Sequence, residues 1–290
     1  MNKFAKYHAL GNDYIVLDPL FFRHDLTEKA IRLICHRNLG IGGDGILYGP
    51  LVSSNKEHCF KIFNPDGSEA EKSGNGLAIF SLYALDNNYV KSPKFSLKTK
   101  GGKVIVRVKN RKDNIFQIEL GQFSFNSNDI PCLLNKDTSL NLTVEVLGQK
   151  EVVNCVNIGN PHCVIIKDQA SREIAETLGP ILEKSHYFPN GINVQIVEIL
   201  DQNNIKIEIW ERGAGYTLAS GTSSAAASCV AHKLGLVNDD VMVHMRGGSA
   251  QVKIDDHCVH LTTRASRITT GTFSSDFIDV MLNGNVSTLL

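Results

Sequence analysis

Two short segments, 147 residues apart, carry residue types that could do chemistry: Ser73-Gly74-Asn75-Gly76 and Ser220-Gly221-Thr222-Ser223. Each leads a serine and a glycine through a small polar residue into an apolar stretch, as at the start of a buried helix. A helix N-terminus presents unpaired N–H groups and about half a positive charge, so it attracts a carboxylate, and two facing one cleft would hold it strongly. Gly74 and Gly221 let a ligand approach the backbone closely. A lone serine in this place reads first as a helix cap, worth ~1 kcal/mol. The repetition points further. Two like residues at matching helix starts are what a two-base proton transfer beside a carboxylate requires, one removing the α-proton while the other protonates the opposite face. Cysteine suits that task best, because a helix N-terminus lowers its pKa from about 8.5 toward neutrality. Serine lacks that poise.

The helices behind these starts are apolar nearly all round. Leu77, Ile79, Phe80, Leu82, Tyr83 and Leu85 form the first, and Ala225, Ala226, Ala227, Cys229, Val230, Ala231 and Leu234 the second, as in helices buried within a sheet. A third helix is expected over Leu26 to Arg37, capped by Asp25 or Thr27. Strand patterns fill much of the rest: two short strands within Phe4 to Asp18, then Phe60–Phe63, Phe95–Thr99, Val104–Val108, Ile115–Leu120, Leu142–Val146, Val152–Ile158, Cys163–Ile166, Val194–Leu200, Ile205–Trp210 and Val241–Met245. The glycine-dense loop Leu39 to Gly45 misses the G-x-G-x-x-G register, so it signals no dinucleotide. The duplicated helix start predicts an α/β (α+β) fold of two pseudo-symmetric domains, each a mixed sheet wrapped around a central helix. The first spans 1–123, with 265–290 packing back on it, and the second 124–264, the polar stretch Phe123 to Pro131 serving as linker.

Composition narrows the function classes. Thirty basic and thirty acidic residues balance among 290, which leaves no charge excess for nucleic acid. No run approaches the ~20 apolar residues of a membrane span, and Lys3, Lys6 and His8 break any signal-like apolar start, so no membrane is expected and the cytoplasm is the predicted location. Seven scattered cysteines without a C-x-x-C pair predict reduced, mostly buried thiols and no metal site.

The sequence resembles the diaminopimelate epimerase family over essentially its whole length. The matching blocks run from Lys6 to Tyr14, Arg37 to Asp44 and Phe63 to Glu69, then Gly74-Asn75-Gly76, Gly159 to Cys163, Asn193-Val194 and Glu211 to Gly215. The resemblance implies a cofactor-free racemase or epimerase whose two catalytic residues stand at the two helix starts, here Ser73 and Ser220. It implies that Gly74, Asn75, Gly221 and Thr222 hold the substrate α-carboxylate, that Glu211 takes the α-ammonium, and that Asn12, Asn64, Asn160, Asn193 and Arg212 surround the distal end. Arg212 is the natural partner for a second carboxylate. His162 either orients a catalytic group or plays a structural part at a strand, and the asparagines also suit turns.

Four departures from the family pattern stand out: serine at both cysteine positions, Gly45 for glutamine, Tyr216 for glutamate, and Ser223 for glycine. Exchange of both cysteines is a way to trap a substrate complex, but the other changes favour a natural branch that diverged with its surroundings. The leading reading is an isomerase acting on diaminopimelate, in lysine and peptidoglycan-precursor metabolism. Alternatives are a racemase of another polar amino acid, a binding protein that has lost the chemistry, and, last, a proline-racemase-like enzyme. The expected partner is a small amino acid, with a homodimer also allowed.

Overall fold

The computed structural model describes residues 2–52, 58–134, 138–256 and 258–284. The chain divides into two compact units, Met1–Phe116 with Arg264–Leu290 and Gln117–Thr263.

The first unit opens with an antiparallel hairpin of β1 (Lys3–Ala9) and β2 (Asn12–Leu17). Its two-residue turn places Leu10 and Gly11 at φ 53° and 85°, the doubly positive geometry whose twist matches that of the strands. Next comes α1 (Glu28–Cys35), shorter than the sequence suggests and capped by Thr27, whose Oγ1 accepts the Ala30 N–H at 3.2 Å. Then follow β3 (Ile46–Val52), β4 (His58–Phe63), β5 (Glu69–Ala70), α2 (Gly74–Asp86), β6 (Lys94–Thr99) and β7 (Gly102–Asn110). Strands β2 and β3 run parallel across α1, and β4 and β6 run parallel across α2. Every residue from Gly74 to Ala84 is buried, so α2 has no solvent face along that stretch.

The division falls within β8 (Ile115–Gly121). The second unit continues with β9 (Leu142–Val146), β10 (Gln149–Asn157), β11 (Pro161–Ile166), α3 (Arg172–Glu183), β12 (Asn193–Asp201), β13 (Asn204–Glu211), β14 (Gly215–Thr217), α4 (Gly221–Lys233), β15 (Asp240–Met245), β16 (Gly248–Asp255) and β17 (Cys258–Arg264). Here β11 and β12 are the parallel pair across α3, and β13 and β15 the pair across α4. Element by element, β10 to β16 repeats β1 to β7: hairpin, helix, parallel strand, antiparallel strand, short strand, buried helix, parallel strand, antiparallel return. The mixed sheets and central helices agree with the fold class expected from sequence. The chain ends with β18 (Ser266–Thr272), antiparallel to β1, and α5 (Ser275–Asn283), which lies against α1.

Several elements lay outside the sequence reading for physical reasons. Helix α3 holds Pro180 among its last four residues, where proline reads as a breaker because it removes a helical hydrogen bond, while Ser171 caps its start at 3.3 Å. Strand β18 carries three threonines among its seven residues and is mostly exposed, so it lacks the alternation that marks a half-buried strand. The stretch 123–131 is tied down: Ser124 and Asn157 exchange backbone hydrogen bonds of 2.8 and 2.9 Å, and Ile130 joins the core of the second unit.

Candidate active site

In the first unit Ser73 caps α2 from extended backbone (φ −141°, ψ 119°), and its Oγ accepts the Gly76 N–H at 3.0 Å. The following N–H groups point out of the helix start, where the dipole favours an anion. The buried Asn75 amide donates to Asn12 Oδ1 at 3.1 Å, and Asn12 donates to Asp44 Oδ2 at 2.9 Å. Asp44 also accepts the Asp13 N–H at 3.0 Å, while Arg37 reaches Asp13 at 2.8 Å and Asp44 at 2.6 Å. Lys6 closes on Asp13 at 2.8 Å. Burial pushes the Asp13 carboxyl up, but hydrogen bonds from Arg37 and Lys6 outweigh it and hold the group below the ordinary carboxylate range. The ionic network thus fixes the hairpin turn that presents Asn12. Asn64 sits in a turn, its amide donating to Ser68 Oγ at 3.0 Å and its backbone paired with Ser68.

In the second unit Ser220 caps α4 with nearly the same backbone (φ −145°, ψ 126°), its Oγ accepting the Ser223 N–H at 3.3 Å with Thr222 Oγ1 at 3.4 Å. A buried polar chain leads away from this start. Gln195 donates to Ser223 Oγ at 3.1 Å and accepts from His162 Nδ1 at 3.3 Å, and His162 Nε2 lies 3.0 Å from the Asn160 amide. Burial drives the His162 pKa from 6.5 down to about 3, and the Arg212 charge adds to the drop. Both ring nitrogens face amide oxygens, Gln195 Oε1 at Nδ1 and Asn160 Oδ1 at Nε2, so whichever nitrogen carries the proton donates to its neighbour. Both nitrogens of His162 are therefore engaged away from the Ser220 hydroxyl, and the ring orients Gln195 and Asn160.

The turn carrying Glu211 and Arg212 is anchored from two sides. Asn193 accepts the Arg212 N–H at 3.0 Å and donates to the Pro161 carbonyl at 2.9 Å. The Glu183 carboxylate takes the Trp210 indole N–H at 2.6 Å and the Gly213 N–H at 2.9 Å. The Arg212 guanidinium, half-buried, donates to the Asn190 carbonyl at 3.2 Å. The structure also brings Asp255, Cys258 and His260 within 4.8 Å of one another, a grouping that the sequence spacing did not suggest. Within it, His260 Nε2 lies 3.0 Å from Asp255 Oδ2, within hydrogen-bond distance.

The chain matches the family model described as Diaminopimelate epimerase over residues 4–125 and 154–268, which takes in both serine caps and every site residue named above. The chain belongs to the diaminopimelate epimerase family. It is 47% identical over 285 residues to Diaminopimelate epimerase 2 of a Nostoc species, covering 97% of this chain and 99% of that relative. With Diaminopimelate epimerase of Methanocaldococcus jannaschii it shares 36% over 278 residues, 89% of this chain and 94% of the other. A solved structure of a probable proline racemase from Agrobacterium radiobacter superposes with a TM-score of 0.74, covering 98% of this chain and 96% of that one at 15% identity, a likeness of fold.

Within this family frame, the departures from the pattern are wired into the structure. Tyr216 donates to Glu208 Oε2 at 2.5 Å, Arg246 holds the same buried carboxylate at 3.2 Å, and the Arg172 guanidinium lies 4.7 Å over the tyrosine ring. Ser223 supplies the hydroxyl that Gln195 needs. A Cβ at Gly45 would stand 2.5 Å from the Phe63 carbonyl and 2.7 Å from the Tyr14 ring, so glycine is what this packing admits. Sequence reasoning missed Gln195, Glu208 and Tyr14 as site residues. Each lies on a strand whose apolar pattern drew attention to its neighbours, though Tyr14 stood within a matching block.

Proposed function

We propose that this isomerase-family chain binds diaminopimelate at its two serine-capped helix starts and inverts the α-carbon slowly, by two-base proton transfer with hydroxyls in place of thiols. The observation that carries the reading is the closely matching cap geometry of Ser73 and Ser220, each at the start of a 13-residue buried helix. Gly74, Asn75, Gly221 and Thr222 would direct N–H groups to the α-carboxylate, Glu211 would take the α-ammonium, and Arg212 with Asn12, Asn64, Asn160 and Asn193 would select the distal end. A serine hydroxyl keeps the shape and hydrogen bonding of the site but is a far weaker acid than a thiol, so binding should persist while turnover falls. Incubation with diaminopimelate in deuterated water, with α-deuteration read by mass and binding by calorimetry, tests both halves. Absence of binding would remove the site assignment; exchange as fast as in a cysteine-bearing relative would remove the claim of slow inversion.

A further inference from the structure

Tyr14 lies on β2, is 7% exposed, and places its hydroxyl 3.3 Å from Ser73 Oγ. The Gly76 N–H occupies one lone pair of that oxygen at 3.0 Å, which leaves Ser73 able to donate its proton to Tyr14 or to accept one from it. The ring sits where a side chain at position 45 would collide with it, 2.7 Å from a Gly45 Cβ. Three features therefore belong together: serine at 73, glycine at 45 and a phenol at 14. The second helix start differs, because the hydroxyl facing Ser220 is that of Thr222, another alcohol, at 3.4 Å.

We propose that Tyr14 is a positioning residue that serves as the proton partner of Ser73, so that the Tyr14–Ser73 hydroxyl pair performs the task of a single thiol. This inference rests on the proposed substrate site. With Tyr14 as phenolate, the Ser73 O–H is held in a hydrogen bond to the tyrosine oxygen. As Ser73 Oγ takes the α-proton, the Cα–H bond breaks, a new O–H bond forms at Ser73, and the original serine proton passes to Tyr14. The electron pair stays on the α-carbon beside the bound carboxylate. Reversal of the same transfers returns a proton to that face, and no oxidant or cofactor enters the balance. A phenol is a far stronger acid than an aliphatic alcohol, so the relay gives Ser73 a proton acceptor that an isolated hydroxyl lacks.

The test is α-deuteration of diaminopimelate from about pH 7 to 10 by the unaltered chain, Tyr14→Phe, Ser73→Cys and the combined Tyr14→Phe, Ser73→Cys form, with binding measured on each. The proposal expects exchange that rises with pH in the unaltered chain, and a loss of roughly 10²-fold with a flattened profile in Tyr14→Phe at unchanged KM, within the range of a positioned base. It expects less than about 3-fold change from the same exchange in the Ser73→Cys background, where the thiol needs no relay. Site-specific 3-fluorotyrosine at position 14, which retains the ring, should move the rising limb to lower pH. Equal losses in both backgrounds, an unmoved limb with fluorotyrosine, or bound diaminopimelate with no exchange at any pH would each overturn the relay while leaving the binding site intact. Failure of the unaltered chain to bind diaminopimelate would overturn the site reading, and the relay with it.

Discussion

Ser73 and Ser220 each close a helix start, and under the proposed function each also faces the substrate. Capping is satisfied by a hydroxyl, since each Oγ accepts an N–H of the first turn. Acid–base work is not. We therefore predict that Cys at both positions raises α-exchange by about 10²- to 10⁴-fold, with single replacements falling short of multiplying because the two groups act as a unit. Exchange rates for the four forms decide it, and no gain with binding intact would count against the two-base reading. For Arg212 we predict that Arg212→Ala weakens diaminopimelate roughly 10- to 100-fold, the worth of a charged hydrogen bond, while an amino acid lacking the distal carboxylate is unaffected. Calorimetry with both ligands checks this; equal loss for the two would assign Arg212 to the fold instead. At this scale the two serine caps were legible because the Ser-Gly helix start occurs twice, whereas Arg212 was reached through the family resemblance. Gln195 was not, because a polar residue inside the apolar run Val194 to Ile199 shows its purpose only when β12 brings it to Ser223 and His162.

Elements hold these side chains through a few end-on contacts. Helix α3 grips the Glu211–Arg212 turn with its last residue, Glu183, whose two oxygens take Trp210 and Gly213. Gly179 lies so close to Trp210 that a Cβ there would be 2.4 Å from its ring, so the helix packs directly against the indole at the end of β13. We predict that Glu183→Ala lowers diaminopimelate affinity in the same direction as Arg212→Ala, although Glu183 has no assigned contact with substrate, and lowers the unfolding free energy by ~1–3 kcal/mol from the unpaired indole and backbone donors. Paired calorimetry and denaturant titration measure both. Unchanged affinity would show that the turn holds its shape without the helix. Buried helices α2 and α4 were legible from their lack of a polar face, whereas α3 was hidden by Pro180 and β18 by its polar composition. Tertiary partners, not local propensity, decide such segments.

Across the whole molecule, the buried His162 couples stability to pH. Its folded pKa of about 3 lies below the unfolded value of 6.5, so the unfolded chain binds the extra proton throughout that window and stability is lost as pH falls through it. Asp13 adds a loss only at lower pH, below its unfolded value of 3.8, as protonation breaks its pairing with Arg37 and Lys6. We predict that the denaturant midpoint drops between pH 7 and 4 by roughly a few kcal/mol in free energy, and that His162→Gln removes most of this slope. An unchanged slope would place the proton uptake on other groups. The repeat of β1–β7 in β10–β16 was legible only through its two serine-glycine marks, since the intervening sequence carries the topology without repeating its residues. One feature of that topology reaches back to synthesis. Strand β1 finds its second antiparallel partner in β18, the last strand among the described residues, while residues 117–263 form a contiguous unit. On the ribosome the second-made unit can therefore close first, and the first-made one must wait with the β1 edge uncovered until the final strand emerges. A nascent chain stalled before Arg264 should accordingly resist protease over 117–263 and yield to it over 2–116, a reversal of the N-to-C order in which most chains mature.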